Sequence, residues 1–202
     1  KIRDKYISLF PELSSKISVV HNIYVPEKKN SKTKVNNNQK IIKLVFIGTL
    51  SPEVRSPEEL LKIFKKLLDK KMSKNLELHF YGKIKSNIQS FNSYSDLINS
   101  SIFLHGLVPK DEVLDILTDA DILVNIGNSN PYQEPSKIIE YVYLGKPILN
   151  FCSLVNDSSR EILDRYPLNL NIFKSEIDND DTFNNLIEFL NNDFNIDRAI
   201  VD

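Results

Sequence analysis

The polar residues best suited to chemistry lie where residues 125–149 pass from an apolar strand through a polar loop into a helix. Pro135 suits the first helical position because proline has no backbone N–H to leave unpaired. Ser136 and Lys137 then fall in the first turn, where free N–H groups and the helix dipole favour an anion such as phosphate. Glu140, one turn further on the same face, could hold a ribose diol. This spacing indicates a nucleotide-diphosphate site; a capped helix with solvated Lys137 and Glu140 is the alternative.

Glycine-rich phosphate loops are excluded by the number and spacing of the glycines. The chain has five glycines among 202 residues. No two are close enough for a G-x-G-x-x-G dinucleotide loop or a G-x-x-x-x-G-K-[ST] phosphate loop. Four lie at or just beyond predicted strand ends and the fifth closes a predicted helix, where the backbone must turn or approach a ligand. They are Gly48, Gly82, Gly106, Gly127 and Gly145.

Charge and cysteine content remove several other classes of function. Lys and Arg total 26 and Asp and Glu total 27, so the net charge of −1 gives no general attraction to nucleic acid. The single cysteine excludes an internal disulfide framework and a cysteine-rich zinc site, and it suits a reducing cytoplasm. No apolar run approaches the ~20 residues of a membrane span. We therefore expect a cytoplasmic globular protein.

Short β-branched runs alternate with longer amphipathic stretches along the chain. This alternation predicts an α/β fold, a Rossmann-like parallel sheet with helices on both faces. Ligands of such folds bind beyond the carboxyl ends of the strands. The predicted strands are 17–20, 42–47, 76–81, 101–104, 121–126, 147–151 and 168–173, and the predicted helices are 57–72, 86–99, 109–118, 135–144 and 180–192. Residues 26–40, rich in Asn and Lys, predict a flexible loop within a domain of residues 17–202.

The amino-acid sequence of residues 125–149 resembles that of a known family. It is similar to the donor-binding half of GT-B glycosyltransferases of the retaining, glycogen-synthase-like type (group 1, or family 4), which show P-S-K-x-x-E-Y followed by G-K-P-I. The matching residues are Pro135, Ser136, Lys137, Glu140, Tyr141, Gly145, Lys146, Pro147 and Ile148. Weaker matches follow in the expected order over about residues 17–150, at 19–22, 45–55, 78–82, 103–106 and 116–124.

The resemblance implies roles for individual residues of a donor site. Arg55 matches the basic residue that contacts the donor diphosphate, Ser136 the phosphate-binding helix start, and Glu140 the acid that holds the ribose. Gly48 and Thr49 match the end of the first strand of the donor domain. Leu107 and Val108 occupy the region that contacts the base, mainly through backbone. His105 is balanced between a structural role and a donor contact.

Two positions depart from the family pattern. Thr49 stands where many relatives have an arginine, and Tyr132 stands where the first acid of the E-x7-E pair contacts the transferred sugar. Gln133 or Glu134 would take part of that role if the loop is remodelled. The identity of the sugar and the retaining outcome are therefore left open by the sequence.

The resemblance also implies the reaction and its partners. The domain would bind a nucleotide-diphosphate sugar and transfer its sugar to a glycan or lipid-linked acceptor, in surface polysaccharide synthesis. Arg55, Lys137 and the helix start would stabilise the leaving diphosphate in place of a metal ion, so we expect neither a metal nor a separate cofactor. Residues 1–16 would connect to a missing N-terminal half with the acceptor site, which would leave this fragment alone inactive.

Other interpretations of the sequence stay open at this point. A non-catalytic regulatory module, such as a receiver-like domain, and a nucleotide-sugar epimerase share the same architecture. A row of lysines on the helix 57–72 could attract anionic lipid and hold the protein at the inner face of a membrane, although a solvated face is the simpler alternative. These lysines are Lys62, Lys65, Lys66, Lys70, Lys71 and Lys74.

Overall fold

The computed structural model describes residues 2–20, 41–70, 74–133, 135–192 and 194. Its centre is a single six-stranded sheet in which every neighbouring pair is parallel. The strands are β1 (Ile41–Thr49), β2 (Asn75–Lys83), β3 (Ile102–Gly106), β4 (Ile122–Ile126), β5 (Ile148–Cys152) and β6 (Asn169–Phe173). Their order is β3-β2-β1-β4-β5-β6, so the predicted Rossmann-like fold is confirmed.

Helices cover both faces of this sheet. The α-helices are α1 (Ile2–Leu9), α2 (Glu58–Asp69), α3 (Lys110–Asp119), α4 (Lys137–Tyr143), α5 (Arg160–Leu163) and α6 (Asp180–Asn191), and 3-10 helices span Pro11–Lys16, Lys85–Tyr94 and Lys174–Glu176. Helices α2 and α6 share one hydrophobic core with the sheet, and α3, α4 and α5 share the other. In β1, for example, Phe46 faces the first core and Val45 faces the second.

The apolar pattern of the sequence explains these two cores. In α2, Leu60, Phe64 and Leu67 recur at helical spacing and are buried against the sheet, each burial contributing roughly 1.5–3 kcal/mol. Every residue of β4 and β5 is buried. Continuous burial is typical of parallel strands that are covered on both faces.

The predicted strand at 17–20 is wrong. These residues have no regular secondary structure, and Val20 is 82% exposed. A β-branched run forms a strand only where neighbours bury it, and these residues pair with no strand of the described sheet. The predicted flexible loop at 26–40 lies outside the described residues.

The predicted helix at 86–99 is only partly correct. The structure has a 3-10 helix at Lys85–Tyr94 followed by turns. Phe91 is buried as expected, but Ile88 is 49% exposed, so only part of the predicted apolar stripe is buried. The predicted left-handed helix end is confirmed at Gly145, whose φ is 66° and whose N–H donates to the carbonyl of Val142.

Candidate functional site

The site lies at the carboxyl ends of β1 and β4, which are adjacent in the sheet. From β1 the chain turns to α2 on one face, and from β4 it turns to α4 on the other. The loops that follow the two strands therefore lead to opposite faces of the sheet, and we call the sheet edge between them the crevice. Ligands of open α/β sheets bind in the crevice at such a reversal of strand order.

The loop after β1 places Arg55 over the end of its own strand. Ser51 and Arg55 exchange two backbone hydrogen bonds of 3.1 and 2.8 Å, which close a tight loop. The Arg55 guanidinium then lies beside Gly48, with Nη1 3.6 Å from the position that a Cβ would take there. Nη1 also donates to the carbonyl of Thr49 at 3.5 Å. The structure thus brings the predicted residues Gly48, Thr49 and Arg55 together.

Asn128 holds Arg55 in this position, although no role for Asn128 was predicted from the sequence. Its side-chain Oδ1 accepts hydrogen bonds from Arg55 Nε at 3.1 Å and from Nη2 at 2.8 Å. Its Nδ2 donates to the carbonyl of Gln133 at 2.7 Å, and only 2% of the residue is exposed. The only feature of the sequence that could have indicated this role is the position of Asn128, two residues after the end of β4. Asparagine is common in loops for unrelated reasons, so this position alone predicts little.

Further hydrogen bonds join the loops that follow β1, β4 and β5. Ser129 donates from its N–H to the carbonyl of Val54 at 2.7 Å and from its hydroxyl to the carbonyl of Glu53 at 2.6 Å. The hydroxyl of Ser158 donates to the same Gln133 carbonyl at 3.0 Å. The crevice is therefore a preorganised set of loops, since each loop is fixed by its neighbour.

Arg55 remains cationic in this setting. Partial burial lowers its pKa, while the negative charge of the buried Asp157 acts in the opposite direction. An arginine begins from a pKa so high that it keeps its proton at neutral pH. Burial also raises the pKa of Tyr141 far above its ordinary value, so the tyrosine adds no charge.

A buried carboxylate, that of Asp157, lies below the crevice. Its Oδ1 accepts hydrogen bonds from the N–H and the hydroxyl of Ser159, at 2.9 and 2.7 Å. Its Oδ2 has no hydrogen-bond partner among the described residues. Oδ2 lies against Gly127, where a Cβ would approach it to 2.0 Å. Glycine is therefore required at position 127, directly after β4. The negative charge of Asp157 contributes to the electrostatic potential at Arg55.

The start of α4 differs from the prediction in detail. The helix begins at Lys137, so Ser136 is its N-cap residue, and its exposed hydroxyl makes no capping hydrogen bond. Lys137 Nζ forms a close ion pair with Glu140 Oε2, whose side chain is only 13% exposed. The Ser136 side chain thus makes no cap, and the Glu140 carboxylate is held by Lys137, whose own side chain is 38% exposed.

The loop around the expected sugar contact is only partly described. Gln133 exposes its side chain and uses its carbonyl within the loop, and Glu134 lies outside the described residues. Tyr132 is 50% exposed, and Lys5 Nζ lies 5.7 Å from the centre of its ring. A cavity of about 440 Å³ separates α1 from this ring. At the position where the family has its first acid, this chain thus has the half-exposed aromatic ring of Tyr132.

The remaining predicted contacts lie at the end of β3, two strands away from β1. His105 is exposed and makes a ring-nitrogen hydrogen bond to His79 at 2.9 Å. Val108 packs partly into the core beneath α3, whereas Leu107 is largely exposed. These residues share the carboxyl edge of the sheet with Arg55, but they form a separate group.

Two further features bear on the predicted partners. In the described part of the chain, Lys62 and Lys66 on α2 pair with Asp178 and Asp180, so the lysine face is partly neutralised. Those same residues contain no helix with the length and apolar content needed to cross a bilayer. They also contain no group of three or more His, Cys, Asp or Glu placed to hold a metal ion.

Comparison with known proteins gives a family match. The model of the family described as "Glycosyl transferases group 1" matches residues 42–164, which is more than half of the chain. Among curated proteins, no sequence matches significantly.

Several solved structures have a similar fold. A variant of S. aureus TarM in complex with fondaparinux, alpha-GlcNAc-glycerol and UDP aligns over 92% of this chain and 36% of its own, with 16% identity and a TM-score of 0.58. The lipopolysaccharide outer core galactosyltransferase WaaB aligns over 94% of this chain and 50% of its own, with 16% identity and a TM-score of 0.60. WaaG, a glycosyltransferase involved in lipopolysaccharide biosynthesis, covers 75% of this chain, with 15% identity and a TM-score of 0.54. The chain thus spans half or less of the length of the first two proteins.

Proposed function

The chain belongs to the group 1 glycosyl transferases, and from this premise we propose that it is the donor-binding domain of an enzyme that transfers sugar from a nucleotide-diphosphate sugar. One observation carries the proposal. Arg55 is held by Asn128 over the carboxyl ends of β1 and β4, in the crevice where this fold binds ligands. A guanidinium fixed from one side presents its remaining N–H donors to a second group, and its fork fits two phosphate oxygens.

In the proposed reaction, these groups act on the leaving diphosphate. Negative charge grows on the diphosphate as the bond to the sugar breaks. Arg55 is already oriented and needs little reorganisation to stabilise that charge. The Ser136 hydroxyl and the first turn of α4 supply further donors on the opposite side of the crevice. We propose no metal ion for this step, since these positive groups take its role.

The Lys137–Glu140 pair gives binding a second component. A diphosphate that attracts Lys137 would draw its ammonium away from Glu140. The carboxylate would then be free to accept hydrogen bonds from the two ribose hydroxyls. In this proposal one ligand satisfies both charges, so diphosphate and ribose are recognised together, and a free phosphate would be bound more weakly.

The acceptor side of the reaction is assigned to a second half of the enzyme. The chain aligns with half or less of the length of TarM and WaaB. We propose that residues 1–16, whose helix α1 buries no residue, connect to that half. The acceptor is then a glycan or lipid-linked sugar of a surface polysaccharide, and the enzyme works in the cytoplasm at the inner face of the membrane. WaaB, a lipopolysaccharide outer core galactosyltransferase, and WaaG, which is involved in lipopolysaccharide biosynthesis, support this choice.

Isothermal titration calorimetry with UDP, GDP and ADP tests the proposal. We expect one of these nucleotides to bind the wild-type chain, Arg55→Ala to weaken binding at least tenfold, and Glu140→Ala to weaken it by a similar factor. Arg165→Ala removes an exposed arginine outside the crevice and serves as the control. Absence of heat with all three nucleotides contradicts the proposal. Turnover of a nucleotide sugar without any acceptor favours the epimerase alternative instead.

A further inference from the structure

A buried carboxylate with no cation beside it lies below the crevice. Only 3% of Asp157 is exposed. Its Oδ1 accepts hydrogen bonds from the N–H and the hydroxyl of Ser159, which are both neutral groups. Its Oδ2 lies against Gly127 and has no hydrogen-bond partner among the described residues. Nothing in the proposed function depends on this carboxylate.

The local turn does not explain why residue 157 is charged. The hydrogen bond from the Ser159 N–H to Oδ1 closes an Asx turn before α5, and asparagine forms this turn as aspartate does. A buried carboxylate without a cation lowers stability, because burial removes the water that solvates its charge. Asp164, at the end of α5, is by contrast paired with Arg160 at 2.9 Å. In the described part of the chain, Asp157 is thus a charge without a counter-ion where a neutral amide would serve the fold.

A row of buried amides holds this charge in one place. Asn150 Nδ2 donates to Ser159 Oγ at 3.0 Å, and the same hydroxyl donates to Asp157. Asn150 also bonds to Asn125 on β4 and to Asn171 on β6, each at 2.7 Å. The three asparagines occupy matched positions of adjacent strands. The carboxylate is therefore fixed relative to the carboxyl ends of these strands.

Asp157 lies close enough to Arg55 to act on the same ligand. Its Oδ2 lies against Gly127, and the next residue, Asn128, accepts two hydrogen bonds from Arg55. Consecutive Cα atoms are about 3.8 Å apart, so the carboxylate and the guanidinium are separated by roughly 10 Å or less. Burial lowers the pKa of Arg55, and the charge of Asp157 opposes that shift, which reflects the same proximity. A diphosphate on Arg55 would therefore experience a fixed negative charge from below.

The proposed reaction changes the charge of the nucleotide. The bond between the anomeric carbon and the β-phosphate oxygen breaks, and its electron pair stays on that oxygen. The acceptor oxygen forms the new bond to the carbon, and its proton passes to water. A terminal phosphate ionises a second time at about pH 6, so above this pH the released nucleotide carries about three negative charges and the donor about two. The product is therefore repelled more strongly than the donor by a negative charge below the crevice.

We infer that Asp157 is a charge selector, a residue that lowers the affinity of the crevice for the released nucleotide diphosphate more than the affinity for the donor. This inference rests on the proposed function, because it requires a diphosphate on Arg55. Arg55 attracts any diphosphate, and Asp157 weakens that attraction in proportion to the charge of the ligand. Asp157 touches no ligand atom, so it is a specificity-determining residue that acts at a distance. Its effect is faster release of the product.

Asp157→Asn tests the inference, because the amide keeps the shape and the acceptor for Ser159 but removes the charge. The probes are whichever of UDP, GDP and ADP binds the wild-type chain and the β-methyl ester of that nucleotide, which carries one negative charge fewer. At roughly 10 Å and an effective dielectric constant of about 50, one charge changes affinity about threefold for each charge on the ligand. Calorimetric titration of the 202-residue chain at pH 8 should therefore show that the variant binds the nucleotide about thirtyfold and the ester about tenfold more tightly.

Matched variants separate the charge of Asp157 from the structure of its loop. Ser159→Ala removes a hydrogen bond to the carboxylate and keeps the charge, and Asp164→Asn removes a carboxylate that is already paired. Both should leave the ratio of nucleotide affinity to ester affinity at the wild-type value. Asp157→Ser, a second neutral variant, should repeat the about threefold change in this ratio. Urea unfolding checks that each variant is folded.

The possible outcomes distinguish this inference from the proposed function. If none of UDP, GDP and ADP binds the wild-type chain, the proposed function fails and the inference fails with it. If a nucleotide binds but both neutral variants leave the ratio unchanged, only the inference is overturned. A change of the ratio in Ser159→Ala as large as that in Asp157→Asn overturns it too, because the structure of the loop would then set the discrimination. Loss of folding in both neutral variants also overturns it, because the charge would then serve the fold.

Discussion

Replacement of Asn128 by alanine tests whether the crevice is preorganised. The asparagine makes three hydrogen bonds, two to the guanidinium of Arg55 and one to the carbonyl of Gln133. It contacts no part of the proposed ligand itself. Any loss of nucleotide affinity in Asn128→Ala must therefore act through Arg55 or through the loop, and this distinguishes positioning from direct binding.

The structure sets the size of the two expected effects. A hydrogen bond to a charged group contributes about 1.5–3 kcal/mol when buried, and the partial exposure of Arg55 reduces this, so we expect Asn128→Ala to lower the free energy of unfolding by about 2 kcal/mol. A freed arginine must give up roughly 1–2 kcal/mol of rotamer entropy when it binds a phosphate. That cost corresponds to a loss of nucleotide affinity of about five- to thirtyfold.

Urea unfolding and calorimetric titration measure these two quantities in the same variants. Asn128→Asp is the informative partner, because aspartate keeps the acceptor for Arg55 but loses the donor to the Gln133 carbonyl and adds a negative charge. It should hold Arg55 firmly and yet bind a nucleotide diphosphate more weakly than Asn128→Ala. Unchanged affinity in Asn128→Ala, together with a large loss in Arg55→Ala, would refute the positioning role. Affinity in Asn128→Asp above that of Asn128→Ala would refute the charge argument.

Three other outcomes follow from contacts described above. Gly82→Ala should lower the free energy of unfolding by more than about 4 kcal/mol, because φ is 115° and the new Cβ would lie 2.0 Å from a backbone oxygen of β1. Gly106→Ala should lower it by only about 1–2 kcal/mol, because φ is 74° but the space around the new Cβ is open. Urea unfolding of both variants compares the two losses. Burial raises the pKa of Cys152 to about 12, so iodoacetamide should label it at pH 8 only after unfolding, and labelling of the native chain at the rate of an exposed thiol would contradict this. Because an unfolded thiol titrates near pH 8.5, the unfolding free energy should fall as pH rises above that value, and Cys152→Ala should reduce the slope of that fall.

The elements of the fold were largely predictable because each has a local signal. Six of the seven predicted strands form, and the apolar runs of β4 and β5 are buried throughout, as expected for parallel strands covered on both faces. The run at 17–20 is also β-branched, but it pairs with no strand of the described sheet. Whether a pairing strand is available cannot be read from the local sequence. At Lys85–Tyr94 the predicted apolar residues are three apart, a spacing that fits a 3-10 helix as well as an α-helix, so the pattern could not distinguish the two.

The candidate site was predictable only where chain neighbours act together. Ser136, Lys137 and Glu140 lie within one turn of α4, so their spacing indicated a common face. The role of Asn128 arises because its loop crosses that of Arg55, which is 73 residues away in the sequence. The close approach of Asp157 Oδ2 to Gly127 likewise joins two loops, one after β5 and one after β4. Such contacts follow from the strand order and leave no periodic signal.

The narrow pairing between β1 and β4 has a consequence for how the domain opens. β1 is matched to β2 over nine residue pairs but to β4 over three, from Leu44 to Phe46. This seam divides the sheet into two blocks, β3-β2-β1 and β4-β5-β6, each continuous in the chain. Amide hydrogen exchange should therefore be faster along the seam than along the nine-pair ladder between β1 and β2. A nucleotide bound across the crevice would tie the two blocks together at their carboxyl ends, and the exchange of the seam amides should then slow.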